Sequence, residues 1–358
     1  MHTSESQRSN LVISFGPKVR DLRSLHFRLP TADCRPMAAM STWSLVLLVA
    51  LPLACFGADL RWGYDGNDGP SHWNGSCGTG HRQSPVDIRS VDVDYAMLKK
   101  VHFVNYVKVG PVKLQNTGHT VMISGFADWG EGQPFIFGGT LEGKYRLVQI
   151  HFHWSTDNSK GSEHTLGGLH YPVEAHFVHQ KEGTENATKL PPDGLAVVGV
   201  FLTIARDSSP LAGVEAALKQ VRDPKTDVKV DHYTPQTLLP NNRDNFYTYD
   251  GSLTTPNCDE TVVWTVLAEP ASITNEQLSL LRALKSQDGR AHELNFRPTQ
   301  PLNGRRIKYR SASMDRSDFC HSLRSFGNAI RPTFVGGVLM GVASAFSLNS
   351  VVLPFFFC

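Results

Sequence analysis

Apolar and polar residues alternate along many short stretches of this chain. The clearest run over Val112 to Ile123, Tyr145 to Trp154, Val173 to Val178, Leu195 to Ile204 and Thr261 to Leu267, with Gly, Pro and Asn turns between them. Alternation with a period of two is the signature of strands, so the pattern predicts a strand-rich fold. Two stretches follow a helical period instead. Ser209-Pro210 opens one, with Leu211, Val214, Leu218 and Val221 on one side; Thr274-Asn275-Glu276-Gln277 forms a capping box before Leu278, Leu281 and Leu284. No repeat of 20 to 50 residues and no low-complexity linker divides residues 59 to 310. The expectation is one mainly β (α+β) domain over 59–310, built on a sheet with a few peripheral helices.

The two ends read differently. From Met40, polar residues lead into Leu45-Val46-Leu47-Leu48-Val49-Ala50-Leu51, an apolar run of the length of a signal-peptide core, and small residues follow at Gly57 and Ala58. The run is short for a membrane span, so residues 1–58 are expected to be an N-terminal extension and signal peptide that is removed. Residues 1–36 carry no clear pattern, and Met37 and Met40 are alternative starts. At the other end, a polar stretch over 311–333 contains Ser322, Ser325, Gly327 and Asn328. It precedes an apolar tail over 334–358 that ends at Phe355-Phe356-Phe357-Cys358 with no basic flank. That arrangement fits a signal for a GPI anchor, with a transmembrane tail as the alternative. Either places the protein at a membrane, on the extracellular face after passage through the secretory pathway.

The chain has 358 residues with 41% hydrophobic and 19% charged, enough to bury a sizeable core, and a formal charge of +2. Six basic residues fall in the first 58, leaving 29 basic against 30 acidic in the remainder. A near-neutral body carries no electrostatic footprint for nucleic acid, so that class of partner is not expected. Of six Cys, Cys34 and Cys55 lie in the removed segment and Cys358 in the tail, leaving Cys77, Cys258 and Cys320 for one disulfide and one odd thiol. Sequons at Asn74 and Asn186 agree with secretion and predict glycosylation.

The chemistry concentrates on two stretches. In Gln149-Ile150-His151-Phe152-His153-Trp154, strand geometry sends Gln149, His151 and His153 to one face; in Val173-Glu174-Ala175-His176-Phe177-Val178 it groups Glu174, His176 and Val178. Two imidazoles from one strand and one from a neighbour make a three-histidine site, which leaves the fourth tetrahedral position of zinc open, as catalytic zinc sites do. Gln149 and Glu174 each precede a histidine by two on the same face, where each is placed to accept the second ring N–H. Core histidines on a sheet, or a copper site, are the weaker alternatives, since Gln149 and Glu174 accompany the histidines.

With further motifs at Gln83-Ser84-Pro85-Val86-Asp87-Ile88, Gly118-His119, Gly161-Ser162-Glu163-His164, Gly251-Ser252-Leu253-Thr254-Thr255-Pro256 and Asn295-Phe296-Arg297-Pro298, the chain resembles an alpha-class carbonic anhydrase from Trp62 to Pro298. The resemblance points to the secreted or membrane-anchored type. It implies a large twisted, mostly antiparallel ten-stranded sheet, and reversible hydration of carbon dioxide to bicarbonate and a proton by zinc-bound hydroxide. It also implies zinc on His151, His153 and His176, with Gln149, Glu174 and Asn295 behind the ligands. Thr254 and Glu163 would orient the hydroxide, His119 would shuttle protons, and Tyr64 and Asn116 would order water. Carbon dioxide would meet Val178, Val197, Val262, Leu253 and Trp264, and bicarbonate Thr255. A histidine suits proton transfer because its ordinary pKa is about 6.5. Cys77 and Cys258 match positions paired in secreted members, and sulfonamide-type inhibitors are expected. Thr117 and Met122 depart from the family, standing where many members have polar cleft residues. The competing class is a catalytically silent surface binding module, which typically loses a zinc histidine; a secreted esterase using the same zinc chemistry is a third reading.

Overall fold

A computed structural model describes residues 62–313. The extension with its apolar run, cleavage region, Cys34 and Cys55, the attachment region with Cys320, and the tail to Cys358 lie outside the described residues.

Ten strands form one continuous hydrogen-bonded path: β1 (Val93–Tyr95), β2 (Gly110–Asn116), β3 (Val121–Ser124), β4 (Leu141–Trp154), β5 (Val173–Lys181), β6 (Leu195–Ile204), β7 (Asp227–Tyr233), β8 (Phe246–Gly251), β9 (Val262–Leu267) and β10 (Ile307–Arg310). Their spatial order is β7-β2-β3-β4-β5-β6-β9-β8-β10-β1. Along this path β6 runs parallel to β9 and β10 parallel to β1, while the other neighbours are antiparallel. Val101–Val104, Phe135–Gly138 and Ala271–Ile273 attach beside the path, so the expected ten-stranded sheet is the spine of one with thirteen strands. Asp87–Ile88 and Thr165–Leu166 pair separately as a short parallel ribbon.

The central strands are buried on both faces because the alternation feeds two separate cores. Ile150, Phe152, Trp154, Val173, Ala175, Phe177, Ala196, Val198 and Val200 point into the larger one; Val178, Val197, Phe201, Val262, Trp264 and Val266 point into the other. Each fully buried side chain of this size contributes on the order of 1.5–3 kcal/mol. The run over Tyr145 to Trp154 reads as one strand, but a register shift between Leu147 and Gln149 interrupts its pairing with β5. The extra residue reverses the facing of every side chain beyond it. Tyr145 and Leu147 therefore share the larger core with Ile150 and Phe152, while Gln149, His151 and His153 turn to the opposite face. Val112 to Ile123, read as a single alternating stretch, is the β2–β3 hairpin, closed by a turn where Gly118 has φ +87°.

The helix expected from Ser209-Pro210 is shorter than its apolar spacing suggests. Leu211, Val214, Leu218 and Val221 are all buried, but only Glu215–Leu218 is α-helical. Val214 supplies no capping side chain and Gly213 disfavours the preceding turn. At the second helix, Asn275–Arg282, the Thr274 hydroxyl accepts the backbone N–H of Gln277 as the capping box requires. The reciprocal half is absent, because the Gln277 amide donates to Glu215 instead.

Candidate metal centre

Direct pairing of His151 with His176 across β4 and β5 puts their side chains side by side on one face, with His153 two residues further along β4. Ring centroids lie 5.0 Å apart for His151–His153, 5.1 Å for His151–His176 and 4.5 Å for His153–His176.

Each ring has one nitrogen committed to an oxygen that only accepts. His151 Nδ1 donates to Gln149 Oε1 at 2.9 Å, His153 Nδ1 to the Asn295 carbonyl at 2.8 Å, and His176 Nε2 to Glu174 Oε1 at 2.8 Å. The protons are thereby assigned to the outer nitrogens, and lone pairs remain on His151 Nε2, His153 Nε2 and His176 Nδ1. His153 Nε2 and His176 Nδ1 face each other at 3.1 Å. Two unprotonated nitrogens gain nothing from each other, whereas tetrahedral zinc with Zn–N near 2.05 Å sets its ligands roughly 3.3 Å apart. Burial pushes the pKa values of all three imidazoles down, that of His153 to about 3, with the neighbouring rings adding to the effect at His151 and His153. All three are neutral at pH 7 and able to ligate. The donor set fits zinc.

Behind the triad, Glu174 is fully buried and accepts four hydrogen bonds. Oε1 takes His176 Nε2–H at 2.8 Å and His164 Nδ1–H at 2.7 Å; Oε2 takes the backbone N–H groups of Glu163 at 2.9 Å and His164 at 2.8 Å. Burial alone would raise its pKa, but the His164 and His176 rings hold the carboxylate well below its ordinary range. His164 is locked in turn by the Tyr249 hydroxyl at 2.7 Å, which lies 3.0 Å from the Ser84 hydroxyl. Gly199 opposes His176 across β6, and a Cβ there would meet Glu174 Oε1 at 2.9 Å, so only glycine leaves room for this carboxylate.

Glu163 flanks the triad, with Oε1 3.5 Å from His153 Nδ1 and Oε2 3.9 Å from His176 Nδ1. Burial raises its pKa well above the ordinary carboxylate range, opposed by the Arg297 backbone N–H, which donates to Oε1 at 2.8 Å, and by the Thr254 hydroxyl. Oε2 is buried with no well-formed hydrogen bond. A cation held by the triad would favour the charged form of this buried carboxyl. Thr254 is itself buried, while Leu253 and Thr255 are partly exposed on the same loop. The Cys77–Cys258 disulfide, with Cα atoms 4.9 Å apart, ties the N-terminal arm to that loop.

The residues expected to meet carbon dioxide pack together. Val178, Val197, Val262 and Trp264 belong to the smaller core with Leu253 packed against it, and the Trp264 ring meets His176 edge-on at 4.9 Å. Tyr64 stacks edge-on against Trp62 and Trp73, and burial together with the nearby Glu163 raises its phenol pKa well above 10, keeping it neutral. His119 lies flat on Trp62, with centroids 3.6 Å apart and planes 4° apart.

Asn116, expected to order water, is placed differently. It is fully buried, its amide donates to the Arg222 and Lys285 carbonyls, and its Oδ1 accepts from Gly118 N–H. It shapes the turn carrying His119 and has no donor left for a cleft. Asn295 acts behind the ligands through its main chain, while its side chain bridges His119 O, Phe152 O and Trp154 N–H. Three roles are not signalled by residue order: Trp62 beneath His119, Arg297 through its backbone N–H on Glu163, and Gln287, whose amide reaches His119. All come from irregular segments, where periodicity is silent.

The model of eukaryotic-type carbonic anhydrase matches residues 68–311. A Caenorhabditis elegans relative is 45% identical over 285 residues, covering 78% of this chain and 91% of its own length. Human carbonic anhydrase 7 is 40% identical over 256 residues, covering 69% and 96%, and rat carbonic anhydrase 3 is 34% identical over 256 residues, covering 69% and 97%. With the family model spanning most of the chain and such relatives matched over nearly their whole length, this chain belongs to the eukaryotic-type carbonic anhydrase family.

Proposed function

We propose that this protein catalyses the reversible hydration of carbon dioxide to bicarbonate and a proton, with zinc on His151, His153 and His176. The observation that carries this reading is the convergence of three neutral imidazole lone pairs against the apolar wall of Val178, Val197, Val262, Leu253 and Trp264. Zinc held there supplies hydroxide at neutral pH by lowering the pKa of its bound water to about 7. The chain's own residues do the rest. The apolar wall offers carbon dioxide a site where water competes poorly. The Thr254 hydroxyl lies beside Glu163, and a proton donated to that carboxylate would leave it acceptor capacity only toward the reacting oxygen, which would orient that oxygen. His119, on its Trp62 platform, passes the released proton outward to buffer. Thr255, on the same loop, is placed to meet bicarbonate, and sulfonamide-type inhibitors are expected to bind at the triad.

We further infer routing through the secretory pathway to the extracellular face of the plasma membrane, held there by a GPI anchor. Supporting this are the apolar run Leu45–Leu51, the tail over 334–358, the disulfide, and the exposure of both sequon residues, Asn74 and Asn186.

The deciding experiment is stopped-flow carbon dioxide hydration by the protein purified from a secretory host, with zinc measured on the same sample and His176→Ala beside it. Zinc near one per chain, with hydration abolished in the variant, supports the enzyme. Zinc without hydration refutes it and leaves a surface binding module. Release from cells by phosphatidylinositol-specific phospholipase C tests the anchor.

A further inference from the structure

The turn over residues 285–291 is built onto the turn that carries His119. Lys285 and Ala291 pair across it, Gly289 N–H donates to Ser286 O, and Asp288 takes the backbone N–H of Arg290 at 3.0 Å and its Nε at 2.6 Å. Two contacts fasten it to its neighbour: Gln287 N–H donates to Gly118 O at 3.0 Å, and the Lys285 carbonyl accepts from Asn116 at 3.0 Å. A Cβ on Gly118 would lie 2.6 Å from Gln287 Cγ, so the stem of Gln287 rests directly on the glycine before His119. From there its side-chain amide reaches the His119 ring, with Nε2 2.7 Å from His119 Nε2.

We propose that Gln287 is the positioning residue of the proton carrier, holding the His119 ring flat on Trp62 in the pose from which it exchanges protons with solvent. The chemistry of the amide suits this task. Its NH2 donates to the bare nitrogen of a neutral imidazole, and turned by half a rotation its carbonyl accepts from the protonated one. One side chain therefore holds the ring through both states that a proton carrier must visit. The Trp62 face complements it by attracting the charged form. A carboxylate at 287 would accept only, and would favour the charged state alone.

This inference rests on the proposed hydration activity, so its test reads the ring as well as the rate. Gln287→Leu keeps the stem that packs on Gly118 and removes the amide. Expected is a roughly three- to tenfold fall in kcat at low buffer, a fraction of the 10²–10⁴ that a positioned acid–base group contributes. kcat/KM should be unchanged, and kcat restored by added imidazole, which carries protons without His119. Unchanged kcat, or kcat and kcat/KM falling together, would overturn the proposal. In parallel, nuclear magnetic resonance of the imidazole nitrogens should show the His119 pKa moving up in Gln287→Glu. The other ionisable groups lining this cavity are Tyr64, Asp65, Asp68, Asp288, Arg290, His292 and Glu293, and all are common to both proteins. No shift in that resonance would overturn the proposal even if the wild type lacked hydration activity, so the two readings fail separately.

Discussion

Replacing Glu174 with glutamine separates the support of a candidate metal ligand, His176, from the ligand itself. The side chain keeps its shape and loses its charge, and one of its two oxygens becomes an NH2 group. Four N–H donors converge on the present carboxylate at 2.7 to 2.9 Å, two on each oxygen. If the NH2 faces Glu163 N–H and His164 N–H, two buried backbone donors are orphaned at about 1–3 kcal/mol each, giving roughly 2–6 kcal/mol of lost stability. If it faces His176 and His164, the rings escape only by moving their protons, and for His176 the proton then sits on Nδ1, the nitrogen that must bind metal. Support of this kind is typically worth 10- to 100-fold in metal affinity, or about 1.4–2.7 kcal/mol. The first arrangement appears as a lower urea midpoint, the second as faster zinc loss to a competing chelator. One or the other must occur, since an amide has no orientation that accepts four N–H groups. Glu174→Gln protein with wild-type urea midpoint and zinc affinity within twofold of wild type would refute the assignment of protons in this site.

The disulfide closes a segment with a sequence separation of 181, for which chain entropy sets an upper value of about 5 kcal/mol, so Cys77→Ser/Cys258→Ser protein should lose up to that much in urea unfolding. His179 and His292 are buried, and burial lowers both pKa values to about 4. Between pH 6.5 and 4 the unfolded chain therefore binds protons that the folded one refuses, so zinc-free protein, in which the buried triad histidines add to the effect, should lose stability as pH falls through that window, by up to about 1.4 kcal/mol per pH unit for each group. A flat profile would contradict their burial as neutral rings. Expression in a secretory host followed by removal of N-linked glycans should lower the mass by two glycans, and Asn74→Gln or Asn186→Gln should each remove one. Under the proposed mechanism Thr254→Ala should lower kcat/KM for carbon dioxide while leaving zinc content near wild type, since the role given to its hydroxyl is to orient the reacting oxygen and not to hold the metal.

How far the site could be read from residue order depended on which segments carry it. His151, His153, Gln149, His176 and Glu174 sit on regular strands, where alternation alone assigns a face, and the structure groups them as that alternation implied. Even there the single alternating run from Tyr145 to Trp154 holds only within the stretch from Gln149 onward, because the register shift after Leu147 changes the phase. Without the extra residue before Gln149, Leu147 and His151 would share a face, and the ligands would point into the larger core. Outside the strands no period exists to read. Asn116 and Thr117 are adjacent polar residues at a turn, and only the backbone path shows that Asn116 turns inward to the Arg222 and Lys285 carbonyls. The same holds for the groups that act through their main chains. The Asn295 carbonyl sets the His153 tautomer, and the Arg297 N–H holds Glu163, yet neither depends on the side chain that the sequence displays. Substituting those side chains therefore tests their own hydrogen bonds, from Asn295 to the His119 and Phe152 carbonyls and from Arg297 to Gln83 and the Ser84 carbonyl, rather than these main-chain ones. For the support of this metal centre, the informative changes are at Gln149, Glu174 and Gly199, where side-chain identity and function coincide.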